Sequence, residues 1–515
     1  MPLDEGQPTA LGSKKTREPG EGGERRWAMQ LGPDGRAARL ARSSRVNYGG
    51  AALRGSGGDH RAVGMGARMD QGSKTPQGTV DDEVIHLEDG AIRTFHVSVP
   101  QEDLDDLRRR LAATRFPEKE TVADRSQGVP LATMQELVRY WGNDYDLRRF
   151  EARLNAFPQF LTEIDGLDIH FIHATSPHED ALPLIITHGW PGSVIEMLNV
   201  IGPLSDPTAH GGNAEDAFHV VVPSMPGYAF SAKPTTTGWG PVHIANAWIA
   251  LMERLGYGRY IAQGGDWGAQ ITDTMGAVAP PGLLGIHSNM AGTVPPDAVK
   301  SLSSNVLGAG DPPPSDLSAE EQRGYDELSF LYTKGIGYAL EMGLRPQTLY
   351  GLADSPAALA AWMLDHDARS LEDIVAAFDG HPVGNLTRDE VLDNITMTWV
   401  TNTGVSSGRL YWENTLGFFD AKGVTVPAAV SVFPRELYQV PRSWAEKAYP
   451  KTHLLQRAPR REPLRRLAGA GALHGRAASR VPVASLRSRF DADKGGPDAR
   501  TGTVGRDRAH RSPTA

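Results

Sequence analysis

The sequence predicts an α/β fold, in which a buried parallel sheet is covered by helices. Three short apolar segments, residues 184–186, 220–222 and 260–262, have the length of buried strands. Each is followed by a turn rich in glycine or proline, and residues 247–255 have the apolar spacing of a helix. Strands that alternate with helices in this way are typical of parallel sheets. Chemistry in such sheets takes place at the carboxyl ends of the strands.

Composition excludes several kinds of site. The chain contains no cysteine, which rules out disulfides, thiolate metal sites and a cysteine nucleophile. No pair of histidines has the spacing of metal ligands, so we expect no metal. Neither a membrane-spanning stretch of about 18 apolar residues nor a secretory signal is visible. We therefore expect a soluble, cytoplasmic protein without a membrane partner.

Charge is unevenly distributed along the chain. Residues 1–75 have a net charge of +5 and residues 455–515 of +9, whereas the middle of the chain has −23. Basic ends can bind nucleic acid, but these lack interleaved aromatic residues and a helical period, so we expect no nucleic-acid partner. Residues 1–75 hold 15 glycines and few large apolar residues. We predict that they are disordered or not natively translated, with Met69 as a plausible start.

The sequence between the two basic ends predicts a core whose sheet is built from two separate parts of the chain. Apolar residues indicate a strand and then a helix from about residue 82, and we assign residues 76–165 to an N-terminal domain. The sheet is predicted in residues 166–290 and again in residues 421–454. Residues 291–420 lose the strand rhythm, and we predict that they form a helical lid inserted into the core. Residues 455–515 form a basic tail that we expect to be disordered.

The turn Gly264-Gly265-Asp266-Trp267-Gly268 has the pattern small–x–nucleophile–x–small. A sharp turn from strand to helix needs small neighbours, because a Cβ atom does not fit there. An aspartate in this position can attack carbon and form an ester intermediate. The motif is short, and Asp266 could equally cap the next helix in an ordinary glycine-rich turn.

The earlier turn, His188-Gly189-Trp190-Pro191, follows the first of the three strands. Its backbone N–H at Trp190, together with that of Trp267, can form an oxyanion hole for the tetrahedral intermediate of ester hydrolysis. The alternative is a turn in which Trp190 merely packs.

Taken together, these segments resemble the microsomal-type epoxide hydrolases, over about residues 82–454. The matching segments are Trp141 with Tyr145, 154–160, 188–193, 223–228, 264–268, 345–348, 354–356 and 431–434. One small departure is Ala229, where the family usually has glycine, and we expect it to cost little. The resemblance implies an α/β-hydrolase fold with an N-terminal epoxide hydrolase domain and a helical lid. It also implies that a small-molecule epoxide and water give a vicinal diol through an aspartyl ester, with no cofactor. The oligomeric state stays open, and a homodimer is one alternative.

The resemblance assigns roles to three further side chains. Tyr338 and Tyr411 match the two lid tyrosines that hold the epoxide oxygen. A tyrosine, with its reference pKa of ~10, stays protonated at neutral pH and can donate to a developing alkoxide. Glu436 matches the acid that orients a histidine. We expect Tyr325 and Tyr332 to pack within the lid. We expect four other histidines to be structural: His170, His173, His219 and His287.

The family pattern breaks at the histidine, which should fall near residue 463 but is absent there. His453 is too early, and His474 has no matching surroundings. One choice of codons for residues 463–467 gives His-Phe-Ala-Ala-Trp when the frame moves by one base, which suggests a frameshift. The chain would then lack its water-activating base, and the ester would be hydrolysed slowly. The final strand–helix unit would be missing or scrambled.

Two alternatives stay open at this stage. A haloalkane dehalogenase-like hydrolase also uses an aspartate nucleophile, but it needs halide donors rather than a tyrosine pair. A catalytically dead homologue would also keep the fold, although the intact Asp266, Tyr338 and Tyr411 speak against long decay.

The frameshift hypothesis predicts an inserted or deleted base in the gene, and resequencing codons 450–480 tests it. A corrected frame should restore a histidine near residue 463. An unchanged reading would contradict the hypothesis and show that the gene encodes this tail.

Overall fold

A computed structural model describes residues 90–306, 310–382, 386–434 and 436–457, apart from the side chains of residues 453 and 454. The predictions made for residues 1–75 and for residues 458–515 lie outside the described residues.

The described residues form one mixed sheet, and its nine strands confirm the predicted α/β class. The strands are β1 Arg93–Phe95, β2 Gln159–Ile164, β3 Leu167–Ala174, β4 Leu182–Thr187, β5 Phe218–Pro223, β6 Tyr260–Gly264, β7 Leu283–Ser288, β8 Ala428–Val432 and β9 Thr452–Arg457. Their order across the sheet is β1-β2-β3-β5-β4-β6-β7-β8-β9. The pairs from β1 to β5 are antiparallel, and those from β5 to β9 are parallel.

Helices precede the sheet and cover its parallel part. Those outside the lid are α1 Gln101–Ala112, α2 Leu131–Asn143, α3 Arg149–Asn155, α4 Leu198–Ser205, α5 Pro241–Arg254, α6 Trp267–Val278 and α15 Arg442–Ala448. Every residue of β6, β7 and β8 is buried, as expected of parallel strands that are covered on both faces.

The segment between β7 and β8 contains the helices that the sequence predicts as a lid. They are α7 Pro296–Val306, α8 Ala319–Phe330, α9 Gly337–Leu344, α10 Gly351–Asp354, α11 Pro356–Leu364, α12 Ala368–Phe378, α13 Arg388–Val400 and α14 Gly404–Glu413. Side-chain caps define several of their starts: Ser318 and Thr387 each form a reciprocal capping box with a glutamate three residues later.

The last strand corrects one expectation from the sequence. We expected the final strand to be missing or scrambled and the tail to begin at residue 455. Strand β9 instead runs to Arg457 and pairs in parallel with β8 through the register Val432↔Arg457. Backbone pairing with the buried β8 thus extends the ordered core three residues into the segment that composition assigned to the tail.

The order of the strands creates a crevice. From β4 the chain crosses to β5 on one side, whereas β6, the neighbour of β4 on the other side, leads on to β7. The connections therefore leave β4 and β6 in opposite directions, which opens a ligand-binding crevice at the carboxyl ends of these strands. The two turns that the sequence singled out, at 188–191 and 264–268, lie at those ends.

A buried carboxylate joins the N-terminal helices to the lid. Asp393 of α13 is fully buried and accepts a hydrogen bond from the Tyr145 hydroxyl at 2.6 Å. The guanidinium groups of Arg149 and Arg153 also contact this carboxylate. Trp141 of α2 donates to the Thr396 hydroxyl on the same lid helix, at 2.8 Å.

Replacing Asp393 with alanine should lower the free energy of unfolding by about 3 kcal/mol or more, because two arginines and a tyrosine lose their buried partner. Urea unfolding of the purified protein measures this change. Asp105→Asn is the control, since Asp105 and Arg108 form an exposed pair at 3.6 Å; it should change stability by no more than about 0.5 kcal/mol. Equal effects of the two substitutions would contradict the assigned role of Asp393.

Candidate active site

Asp266 lies at a sharp turn between β6 and α6, with φ 51° and ψ −127°. A Cβ atom on Gly268 would lie 2.0 Å from the Thr187 carbonyl oxygen, and one on Gly264 would lie 2.0 Å from the Gly268 carbonyl oxygen. Both positions therefore require glycine, as the motif predicts. The Asp266 side chain makes no capping hydrogen bond to α6, which argues against an ordinary capping turn. The strained backbone instead presents a buried carboxylate.

The turn after β4 packs directly against this carboxylate. The Trp190 backbone N–H donates to Asp266 Oδ1 at 2.8 Å. A Cβ atom on Gly189 would lie 2.3 Å from the Asp266 Cβ atom, so this position also needs glycine. Trp267 is the first residue of α6, and its N–H is one of the first-turn donors that have no partner within a helix.

His188 holds the same turn in place. Its Nε2 accepts from the Met225 backbone N–H at 3.2 Å, and its Nδ1 lies 2.9 Å from the Gly189 carbonyl oxygen. Burial lowers the pKa of His188 to about 4, so the imidazole is neutral at physiological pH. His188 therefore supports the turn as a neutral hydrogen-bonding group.

Tyr338 of α9 and Tyr411 of α14 extend from the lid over the two tryptophans. The Tyr338 ring stacks on that of Trp190, with centroids 5.1 Å apart, and the Tyr411 ring meets that of Trp267 edge-on at 4.7 Å. The two tyrosine rings lie 6.0 Å apart. Burial raises the pKa of both tyrosines, and the Asp266 charge raises them further. Both phenols therefore stay protonated and can donate hydrogen bonds.

The competing tyrosines have other partners. The Tyr325 hydroxyl lies 2.6 Å from the Ser301 hydroxyl, and the Tyr332 ring packs near that of Phe419. Among the histidines expected to be structural, His170 bonds to Ser224 and His287 bonds to Ser431.

Glu436 lies just after β8 and is buried. Its Oε1 accepts from the Leu437 backbone N–H at 3.1 Å, and Arg369 donates to its carbonyl oxygen at 2.8 Å. Burial raises the pKa of Glu436 to about 8, and the charges of Asp367 and Asp266 contribute in the same direction. Glu436 therefore interacts electrostatically with the predicted nucleophile, as an acid beside an active-site imidazole would.

Sequence reasoning missed His366, which enters this site from the loop between α11 and α12. It is 4% exposed, and its ring lies 5.1 Å from that of Tyr338 and 5.8 Å from that of Trp190. Its Nδ1 lies 3.3 Å from Asp367 Oδ2. Burial alone would lower the pKa of His366, but the hydrogen bond to Asp367 and the charges of Asp367, Asp266 and Glu436 outweigh burial and raise it.

Glu196 is a second residue that the sequence reasoning missed. It follows the Trp190 turn, is buried, and approaches Gly192 so closely that a Cβ atom there would lie 1.8 Å from Glu196 Oε1. Burial raises the pKa of Glu196 well above its usual value, and Asp266 and Glu436 raise it further. Glu196 was detectable as the one acid in the apolar run 194–198, and His366 as a histidine between two aspartates after an apolar helix.

A narrow cavity of about 10 Å³ lies beside the Trp190 turn, under the lid. Its walls include Trp190 and Tyr228 from the core and Leu359, Trp362 and Met363 from α11. Its free volume is about that needed for one water molecule, and most of these walls are apolar or aromatic.

Two further features concern the described part of the chain only. No group of three or more histidine, aspartate or glutamate side chains there is arranged to hold a metal ion. None of the helices in these residues combines the length and the apolar character needed to cross a bilayer.

Comparisons with known proteins agree with this geometry. Residues 92–197 match the family described as "Epoxide hydrolase N terminus", and residues 183–349 match "alpha/beta hydrolase fold". A putative epoxide hydrolase from Stigmatella aurantiaca is 51% identical over 361 residues, which cover 70% of this chain and 78% of that protein. The chain belongs to the epoxide hydrolase family. Epoxide hydrolase 1 of Oryctolagus cuniculus is 33% identical, over 71% of this chain and 83% of that protein.

Solved structures show the same epoxide hydrolase architecture. The structure of juvenile hormone epoxide hydrolase from Bombyx mori is 27% identical in sequence and superposes with a TM-score of 0.66. The match covers 79% of this chain and 96% of the Bombyx mori chain. Aspergillus niger epoxide hydrolase is 29% identical, and the match covers 78% of this chain and 96% of that chain with a TM-score of 0.63. In this epoxide hydrolase the α/β-hydrolase fold is therefore established.

One departure from the family pattern costs more than the sequence suggests. Ala229 has φ 44°, in the left-handed region that favours glycine. An alanine there costs roughly 1 kcal/mol relative to its preferred conformations.

The stability of this epoxide hydrolase should depend on the protonation of Glu436. Its pKa of about 8 lies above the ordinary value of 4.5, so folding favours the protonated form. Its contribution to stability is complete below the ordinary pKa and is lost as pH rises through about 8. The free energy of unfolding should therefore fall more between about pH 5 and pH 8.5 for the native chain than for Glu436→Gln, which urea unfolding at each pH measures.

Glu118→Gln provides the control, because Glu118 is exposed between α1 and α2. Its pH dependence should follow that of the native chain. Parallel pH curves for the native chain and Glu436→Gln would show that Glu436 does not carry the predicted raised pKa.

Proposed function

We propose that this chain converts epoxides to vicinal diols through a covalent ester on Asp266. The observation that carries the proposal is the position of a buried carboxylate, at a strained turn, below two protonated lid tyrosines. The charge of Asp266 is one of the causes that raise the pKa of both phenols, which supports a shared region of low dielectric constant for the three groups.

In the first step, an Asp266 carboxylate oxygen attacks an epoxide carbon and forms a C–O bond. The bond from that carbon to the epoxide oxygen breaks, and the electron pair moves to that oxygen. Tyr338 and Tyr411 donate hydrogen bonds to the developing alkoxide, which takes a proton from one of these phenols; that phenolate regains a proton from solvent. Since burial disfavours the phenolate forms, both tyrosines keep their protons until the alkoxide forms.

In the second step, water attacks the ester carbonyl carbon and a tetrahedral oxyanion forms. The Trp190 N–H already donates to Asp266 Oδ1, so this donor is in place before the reaction. The Trp267 N–H is the second donor in the proposal. Collapse of the intermediate releases the diol and restores the carboxylate, and one proton returns to solvent in place of the one taken up in the first step.

The cavity beside Trp190 indicates the kind of substrate. Leu359, Trp362 and Met363 line this cavity and would provide apolar contacts to a substrate that widens it. We therefore propose a small epoxide whose substituent is apolar or aromatic. The reacting ring would lie between Asp266 and the tyrosines, and the substituent would extend under α11.

Substitutions at the three reacting residues test the proposal. Asp266→Asn should abolish ester formation, because the amide is not a nucleophile towards the epoxide. Tyr338→Phe and Tyr411→Phe should each slow ring opening about 10²-fold, since each removes one donor to the alkoxide. Quenched-flow kinetics with styrene oxide measures ring opening, and mass spectrometry of the quenched protein detects the ester.

Tyr332→Phe is the matched control, because Tyr332 lies in the same lid and packs near Phe419. It should leave ring opening within a few-fold of the native rate. Halide release from a haloalkane that persists in the Tyr338→Phe, Tyr411→Phe double variant, with no epoxide opening by the native chain, would favour a dehalogenase instead.

A further inference from the structure

His366 is a buried imidazole in the site with no role in the two steps above. It belongs to the lid, yet its ring contacts those of Tyr338, from α9, and Trp190, from the turn after β4. It lies far along the chain from residue 463, where the family pattern places a histidine. The fold brings His366 to the site, and His366 is not the histidine that the family pattern predicts.

Asp367 holds one of the two ring nitrogens of His366. The Asp367 carboxylate accepts from the backbone N–H groups of Arg369 and Ser370, both at 2.9 Å, as the cap of α12. Its other oxygen lies 3.3 Å from His366 Nδ1. A carboxylate that holds one ring nitrogen sets the tautomer and leaves the other nitrogen available as a base. Within the described residues, His366 Nε2 is buried and has no hydrogen-bond partner.

Acidic groups surround this imidazole from several elements. Asp365 and Asp367 flank it in the loop, and the charges of Asp266, in the turn after β6, and Glu436, in the loop after β8, also act on it. Tyr338 of α9 provides the remaining titratable group in ring contact. The same environment that favours a cation here would stabilise an imidazolium formed during catalysis.

We propose that His366 is a catalytic residue that takes a proton from the water that hydrolyses the Asp266 ester. The inference rests on the proposed function, because it concerns the second half of that reaction. It assigns the water-activating base to a lid residue instead of a histidine near residue 463.

The step balances in protons and bonds. His366 Nε2 removes a proton from water as the water oxygen bonds to the ester carbonyl carbon. The tetrahedral intermediate then collapses, and the bond between that carbon and the alcohol oxygen breaks. The leaving alkoxide takes the proton from His366, which returns to its neutral form. Asp266 then releases the second proton of the water to solvent and is again a carboxylate.

The reaction itself adjusts the basicity of His366. Esterification removes the negative charge of Asp266, one of the charges that raise the pKa of His366. The imidazole therefore loses its proton more easily when the ester is present, which is when a neutral base is needed. Ester hydrolysis should accordingly speed up as pH rises and level off once His366 is neutral.

The test follows the ester and the diol separately in the full chain, with styrene oxide as the probe. In His366→Asn and His366→Gln, the ester on Asp266 should still form at close to the native rate but should accumulate. Diol production should fall at least 100-fold. Added imidazole should partly restore diol production in His366→Ala. His219→Asn is the matched control, because His219 is a half-buried histidine at the amino end of β5 and should leave both rates unchanged.

A measurement on the native chain keeps the test independent of the variants. After ester formation, the pH is changed rapidly and ester loss is followed. A rate that rises about tenfold per pH unit and then levels supports the proposal, and a rate that does not vary with pH overturns it.

Three other results would also overturn the inference. Diol production by His366→Asn at the native rate would exclude His366 as the base. Loss of ester hydrolysis in His453→Asn or His474→Asn, with His366→Asn unaffected, would assign the role to a residue outside the described side chains. An ester that accumulates in the native chain without diol would overturn the role of His366 and leave the Asp266 nucleophile intact. Absence of both ester and diol would overturn the proposed function as well.

Discussion

The hydrogen bond from the Trp190 N–H to Asp266 Oδ1 joins the two turns on which the rest of the site depends. It can form only because β4 and β6 are neighbours and because Gly189 and Gly268 let the two turns approach closely. The Trp190 ring then provides the surface on which Tyr338 stacks and which His366 contacts. A shift of this turn would therefore move the oxyanion donor, one lid tyrosine and the imidazole together.

Burial of several carboxyl groups around one imidazole sets the electrostatics of the site. Burial raises the pKa values of Glu196 and Glu436, and their mutual repulsion with Asp266 adds to the effect. Asp367 is the exception, because its hydrogen bonds to His366 and to the start of α12 lower its pKa despite burial. The cluster thus contains fewer negative charges than carboxyl groups. Charge is retained where a hydrogen-bonding partner stabilises it.

The parts of the site that local geometry dictates could be predicted from the sequence, whereas those that depend on distant packing could not. Glycines around Asp266 were sufficient to predict the turn, since a Cβ atom would collide there with the chain itself. Tyr338 and Tyr411 could be separated from Tyr325 only by the family resemblance, because an isolated lid tyrosine looks the same whether it packs or donates. His366 escaped notice because its partners Trp190 and Asp266 are remote in sequence. Strand β9 was not predicted, because composition reveals the basic tail but not the backbone pairing of residues 452–457 with β8.

The attachment of α13 to the N-terminal helices has a consequence for the modularity of this fold. Asp393 belongs to the lid, and its partners are Tyr145, Arg149 and Arg153. These three residues precede the sheet strands that enclose the site. The lid and the N-terminal helices are thus one structural unit, although more than 200 residues of chain separate these partners. A chimera that exchanges lids between relatives must therefore transfer the N-terminal helices with the lid, or it will leave a buried charge without its counter-ions.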